Sequence, residues 1–142
     1  MLKTNTSDAN REWFNVGDYK RLPSEVGGIA TAAPLQVKDA IATLLSTYNS
    51  KEVITFEDIL DFHFHFERIH PFQDGNGRVG RLIMFKECLR NNIVPFIIMD
   101  ELKMFYYRGL SEWKTMPSYL TDTCLTAQDY YKKLLNYFQI KY

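Results

Sequence analysis

Cysteine is scarce in this 142-residue chain, with only Cys88 and Cys124 present. Both sit in helical patterns without metal-ligand spacing, so they read as reduced core thiols, not as a disulfide or a zinc pair. An excess of charge is missing as well, because 17 basic residues balance 17 acidic ones. With no block of like charge, nothing argues for long-range attraction to nucleic acid or to an anionic membrane. Long apolar runs are also absent. The longest, Ile93 to Met99, is short and interrupted by Pro95, and the start, Met1 to Trp13, is polar and lacks the apolar stretch of a secretion signal. A cytoplasmic protein whose partners are a small anion and a protein surface is therefore expected. No internal repeat, low-complexity tract or linker divides the chain, so a single domain over residues 1–142 is expected.

The chain does contain enough apolar material for a core: 46% of residues are hydrophobic and 15% aromatic. From Pro34, Val37, Ala40, Ile41, Leu44 and Leu45 follow a 3.6-residue period and predict a helix ending near Tyr48. A second helix is expected from Thr55, where Asp58 three residues on completes a capping box; Phe56, Ile59, Leu60 and His63 share a face. Pro71 breaks that run at His70. A third helix carries Val79, Leu82, Ile83, Phe85 and Leu89, apolar on more than one side, and stops at Asn91-Asn92. Two more are expected, from about Glu101 to Trp113 and from about Leu120 to Phe138, the latter with Leu120, Cys124, Tyr131, Leu134 and Phe138 on its apolar face. Strand signals are confined to Glu25 to Thr31.

The chemistry is concentrated between His70 and Arg81, in His70-Pro71-Phe72-Gln73-Asp74-Gly75-Asn76-Gly77-Arg78-Val79-Gly80-Arg81. A glycine-flanked turn lets backbone N–H groups approach an anion, and the helix behind it presents its positive dipole end. Arg78 and Arg81 lie three apart and project from one helix side toward the same anion. Asp74 is a hard ligand suited to a Mg²⁺ that bridges phosphates. His70 is the side chain best matched to accepting a proton near neutral pH. Two competing readings are weaker. Gly75-x-Gly77-x-x-Gly80 satisfies a dinucleotide-binding fingerprint but follows a helix, not a strand of a βαβ unit. His63, Glu67 and His70 have a metal-ligand spacing, yet a single His on an apolar face is more often a hydrogen-bonded core residue. For Arg81 a helix-face salt bridge to Glu87 or Asp74 is the plain alternative. For Tyr106-Tyr107 the alternatives are core packing and a shelf for a nucleobase, and Tyr107 is the candidate nucleotide contact.

The string resembles the signature of the Fic family, His-Pro-Phe-x-Asp/Glu-Gly-Asn-Gly-Arg-x-x-Arg, at every fixed position. Val26-Gly27-Gly28 followed by Pro34 is similar to the family's flap, and Tyr106 to Leu110 through Gln128 to its C-terminal helices, so the resemblance covers roughly the whole chain. It implies a mainly helical bundle around a central motif-bearing helix, with a small β-hairpin flap. It also implies transfer of AMP from ATP to a Ser, Thr or Tyr hydroxyl of a target protein, releasing pyrophosphate. His70 would be the general base and Asp74 would hold Mg²⁺. The backbone N–H groups of Gly75, Asn76 and Gly77 would form the anion hole, with the Asn76 side chain on the α-phosphate, Arg78 near the β-phosphate and Arg81 on the γ-phosphate. Phe72 would anchor the loop, and Val26, Gly27, Gly28 and Ile29 would dock the target's backbone as an added strand. Removal of AMP, transfer of another nucleotide, and a non-catalytic protein-docking module are the alternatives.

Many members of that family are restrained by a helix reading Ser/Thr-x-x-x-Glu-Gly/Asn. None of Glu12, Glu25, Glu52, Glu57, Glu67, Glu87, Glu101 or Glu112 has Ser or Thr four residues earlier. The expectation is that such a helix comes from an antitoxin-like partner, from an identical copy, or from an upstream part of a longer protein. The site of this chain is then expected to be competent, with Arg81 open to ATP.

Overall fold

The computed structural model describes Arg11, Glu12, Phe14 and residues 16–142, so most of the polar start, Met1 to Trp13, lies outside the described residues. The fold is mainly helical. Among the described residues a two-strand antiparallel hairpin, β1 (Glu25–Val26) and β2 (Ile29–Ala30), precedes five α-helices: α1 (Val37–Asn49), α2 (Phe56–Ile69), α3 (Asn76–Arg90), α4 (Lys103–Ser111) and α5 (Ser118–Tyr137). Short 3-10 turns, Pro34–Gln36 and Asp100–Leu102, lead into α1 and α4. None of these helices is long and apolar enough to cross a membrane.

Local chemistry accounts for most of the boundaries. Gly27 and Gly28 both have positive φ, 57° and 74°, which the tight hairpin turn requires and which glycine adopts without steric cost. At the start of α2, Thr55 N–H donates to Asp58 Oδ2 at 2.9 Å and Asp58 N–H to Thr55 Oγ1 at 3.2 Å, a reciprocal capping box. The end of α3 is closed by Asn92 in the left-handed region, φ 57°, with Ile93 N–H returning 2.9 Å to the Cys88 carbonyl. That is the hydrogen-bond pattern of a Schellman stop, with Asn in the place usually taken by Gly.

The chain divides into two compact units. One holds the described residues up to Val53 together with 65–80, the other Ile54–Phe64 and Arg81–Tyr142. In the first unit the hairpin is exposed on both strands. In the second, Ile59, Leu60, Met84, Cys88, Phe96, Tyr106, Leu120, Cys124 and Ala127 form one buried cluster. Burial pushes the Cys88 thiol up to about 11 and the Cys124 thiol higher still, so both are inert core groups, as their sequence context implies. Several apolar positions assigned to helix cores by periodicity are instead open to solvent: Leu45 on α1, Leu82 and Leu89 on α3, Leu134 on α5, and Phe138 just beyond it. Periodicity reports which side of a helix is apolar, but only packing decides how much of that side is covered.

Helix α4 meets α5 at Gly109. A Cβ there would lie 2.6 Å from Leu120 Cα and 2.8 Å from Leu120 N, so backbone would have to move. Gly109→Ala is expected to cost about 1–3 kcal/mol, seen as a melting temperature lowered by several degrees. An unchanged melting temperature would show that the two helices yield freely at this point.

Candidate active site

The site starts from a strained helix exit. His70 N–H still bonds the Phe66 carbonyl at 3.0 Å, but His70 itself is left-handed, φ 52°. Pro71 disfavours right-handed helical geometry in the residue before it, and a non-glycine residue in the left-handed region costs on the order of 1–3 kcal/mol. The left-handed residue turns the chain out of α2 at His70.

The loop behind it is held by its own asparagine. Phe72 N–H donates to Asn76 Oδ1 and Asn76 Nδ2 donates to the Phe72 carbonyl, both at 2.8 Å, with Asn76 only 2% exposed. Phe72 packs its ring near Phe66 and Tyr19, at centroid distances of 6.4 and 6.2 Å, which suits the anchoring role its position implies. Gly75, at φ 82°, lets the chain turn into α3, and Val79 N–H closes the first helical bond onto the Gly75 carbonyl at 3.0 Å. Helical geometry leaves the N–H groups of Asn76, Gly77 and Arg78 without acceptors inside the helix, and these are the donors available to an anion. Because the Asn76 amide is bonded to Phe72 at both ends, its backbone N–H is the group best placed to serve as an anion donor.

Electrostatics favour neutral His70. Its pKa lies below the usual imidazole value, first because of burial and second because of the Lys20 ammonium; a contact with the Glu67 backbone and the Asp74 carboxylate oppose this. His70 Nδ1 is buried and makes no full hydrogen bond, which leaves Nε2 as the accessible nitrogen. Arg78 Nη2 lies 3.3 Å from Asp74 Oδ2, both side chains being substantially exposed. Among the described residues no group of three His, Cys, Asp or Glu side chains is arranged to hold a metal. The Asp74 carboxylate, held beside Arg78 at the surface, fits a Mg²⁺ that keeps its waters and arrives on substrate phosphates, since that ion takes few protein ligands in such sites.

Thus the first unit brings together His70, Asp74, Gly75, Asn76, Gly77, Arg78 and the hairpin residues Val26, Gly27, Gly28 and Ile29. Arg81 and Tyr107 belong to the second. There the Arg81 guanidinium lies over the Tyr106 ring at 5.9 Å, and Tyr106 Oη and His63 Nε2 share a buried hydrogen bond of 2.5 Å. His63 is therefore the hydrogen-bonded core residue that its apolar face implies. Asp74 pairs with Arg78, while Glu87 pairs with Lys86 and Arg90. Tyr106 is buried, whereas Tyr107 beside it is 49% exposed, with ring centroids 5.4 Å apart. An open groove of about 340 Å³ runs beside Arg81, lined by Leu82, Phe85, Phe96 and Ile97. The residue that motif reading missed is Lys20. Its contacts reach as far as Ile69 and Pro71, and no local pattern foretells them.

Residues 2–88 match the Fic/DOC family. The protein adenylyltransferase Fic of Aedes aegypti is 32% identical over 94 residues, which is 64% of this chain and 19% of that protein. A probable protein adenylyltransferase of Aquifex aeolicus is 37% identical over 80 residues, 56% of this chain and 24% of that protein. The chain thus spans about a fifth to a quarter of the length of these curated relatives. Among solved structures, a Fic domain containing signaling protein from Bacteroides thetaiotaomicron aligns with a TM-score of 0.66 at 28% identity, over 84% of this chain and 51% of that one.

Proposed function

Because the chain belongs to the Fic/DOC family, we propose that it is a protein adenylyltransferase, moving AMP from ATP to a Ser, Thr or Tyr hydroxyl of a target protein. The observation that carries this reading is the loop itself: a histidine of lowered pKa at a strained helix exit, followed through a short loop by the donor-rich start of α3.

In the reaction, the target hydroxyl oxygen forms a bond to the α-phosphorus while the bond from that phosphorus to the α,β-bridging oxygen breaks. Pyrophosphate leaves with the electron pair. His70 Nε2 takes the hydroxyl proton as the new bond forms, and its lowered pKa keeps it free of a proton beforehand. The backbone N–H groups of Asn76 and Gly77, at the head of α3, receive the charge on the α-phosphate oxygens, with Gly75 shaping the turn that exposes them. Arg78 binds the β-phosphate side and Arg81, one turn later on α3, the γ-phosphate. Asp74 would hold a Mg²⁺ carried by the nucleotide, which offsets phosphate charge when bound. The edge of the two-residue strands at Val26 and Ile29 takes the target backbone as an added strand, which aligns its hydroxyl without reading much of its sequence.

The test supplies the purified chain with Mg²⁺ and ATP labelled at either the α- or the γ-phosphorus, alone and with cell lysate. Label on protein from α-labelled ATP only is expected. Label from γ-labelled ATP would replace AMP transfer with phosphorylation. No label from either, with ATP still bound, would turn the reading toward another nucleotide, the reverse reaction or a docking role.

A further inference from the structure

Among the described residues Lys20 is the one buried lysine, at 3% exposure, and the roles assigned above do not use it. An ammonium taken out of water is costly unless each of its protons finds an acceptor. Here all three do: Nζ lies 3.0 Å from Ser24 Oγ, 2.7 Å from Thr31 Oγ1 and 3.3 Å from the Ile69 carbonyl. A neutral amine would turn its lone pair toward one of these acceptors, so the arrangement fits the charged form.

The three acceptors occupy informative places. Ser24 and Thr31 are the residues immediately before β1 and immediately after β2, and they are also tied to each other. Thr31 N–H and Thr31 Oγ1 both donate to the Ser24 carbonyl, at 3.1 and 2.8 Å, so Ser24 Oγ supplies the proton of the 2.8 Å bond between the two hydroxyls. Ile69 is the last residue of α2 and adjoins His70. The neighbours of Lys20 hold the same loop further along. Lys20 N–H donates to the Pro71 carbonyl at 2.8 Å, and Arg21 and Leu22 N–H both donate to Gln73 Oε1, at 3.2 and 3.1 Å.

We propose that Lys20 is a positioning residue that clamps both feet of the hairpin to the end of α2, so that the docking edge and His70 keep one fixed relation. The same ammonium discourages a second positive charge on the His70 ring. The functional meaning of the clamp rests on the reading of His70 and the hairpin given above; the clamp itself can be tested without turnover.

Two measurements do so on the intact chain. Cleavage by a glutamate-specific protease after Glu25, the first residue of β1, mapped by mass spectrometry, reports how firmly the hairpin is held. The ¹H–¹⁵N spectrum of the histidine rings across pH, with only His63, His65 and His70 to assign and His70→Ala as the key, reports the titration of His70. The charged groups acting on that ring are Lys20 and Asp74, with the Glu67 backbone as the uncharged contribution and Arg78 paired to Asp74.

Lys20→Met is expected to speed cleavage at Glu25 by about tenfold or more and to move the His70 midpoint upward by about half a pH unit or more. Thr31→Val, which keeps the ammonium and removes one acceptor, is expected to speed cleavage while leaving the His70 midpoint near its wild-type position. A folded Lys20→Met with both readouts unchanged would overturn the clamp. If that variant does not fold, Thr31→Val decides, and unaltered cleavage in it overturns the proposal. Because neither readout needs AMP transfer, failure of the clamp and failure of the proposed activity are distinguishable.

Discussion

His70→Ala is expected to bind ATP as the wild type does and to lose AMP transfer by about 10²–10⁴-fold, the contribution typical of a general base. The comparison is clean in one respect. Both His and Ala are L residues with a Cβ, so the left-handed backbone at φ 52° is about equally unfavourable in each, and the substitution tests the ring. Asn, which tolerates that region better, provides a second variant that keeps the loop in place without supplying a base. The wild-type pH profile carries the same information. The His70 pKa is lowered, so the neutral form persists below the usual imidazole midpoint of about 6.5, and transfer is lost only as pH falls through the lowered value. Transfer retained in His70→Ala, or an acid limb at or above the usual midpoint, would remove His70 from the role of base.

Arg81→Ala is expected to weaken ATP binding by about 10–100-fold, the scale of a charge-assisted contact to phosphate, measured by calorimetry with a non-hydrolysable analogue. The structure supplies the competing explanation to be separated from it. Arg81 lies over Tyr106, whose hydroxyl is hydrogen-bonded to the buried His63. A cation–π contact of this kind contributes roughly 0.5–1 kcal/mol at an exposed site. If that contact were the whole role of Arg81, the variant would melt slightly earlier and bind ATP unchanged. An unaltered dissociation constant would therefore return Arg81 to a purely structural function.

The features legible in the chain were those encoded over a few residues. Thr55 and Asp58 mark the start of α2, Gly27-Gly28 the hairpin turn, and Asn91-Asn92 the end of α3, because caps and tight turns are closed by neighbouring backbone and side-chain groups. The string from His70 to Arg81 was legible for a related reason, since the family signature sets a histidine, an acid, glycines and arginines at short, definite separations.

Helical periodicity was a weaker guide. It assigned Leu82, Leu89, Leu134 and Phe138 to covered faces, but nothing in a helical wheel says where the next helix ends, and these side chains remain exposed. Lys20 was beyond its reach altogether. A lysine in a loop reads as a solvated charge until the residues 11 and 49 positions away are folded against it. His63 had the converse history: its apolar face implied a hydrogen-bonded core residue, but only folding named Tyr106, 43 positions away, as the partner.

By itself, then, the sequence determined the helical class, the turn chemistry and the family signature that marks the candidate site, because each depends on residues close together along the chain. Tertiary structure decided which apolar faces are covered, how the Asn76 amide is used, why the His70 pKa is lowered, and which lysine bonds to the hairpin. Those outcomes depend on desolvation and on hydrogen-bond partners that only the folded chain brings within reach.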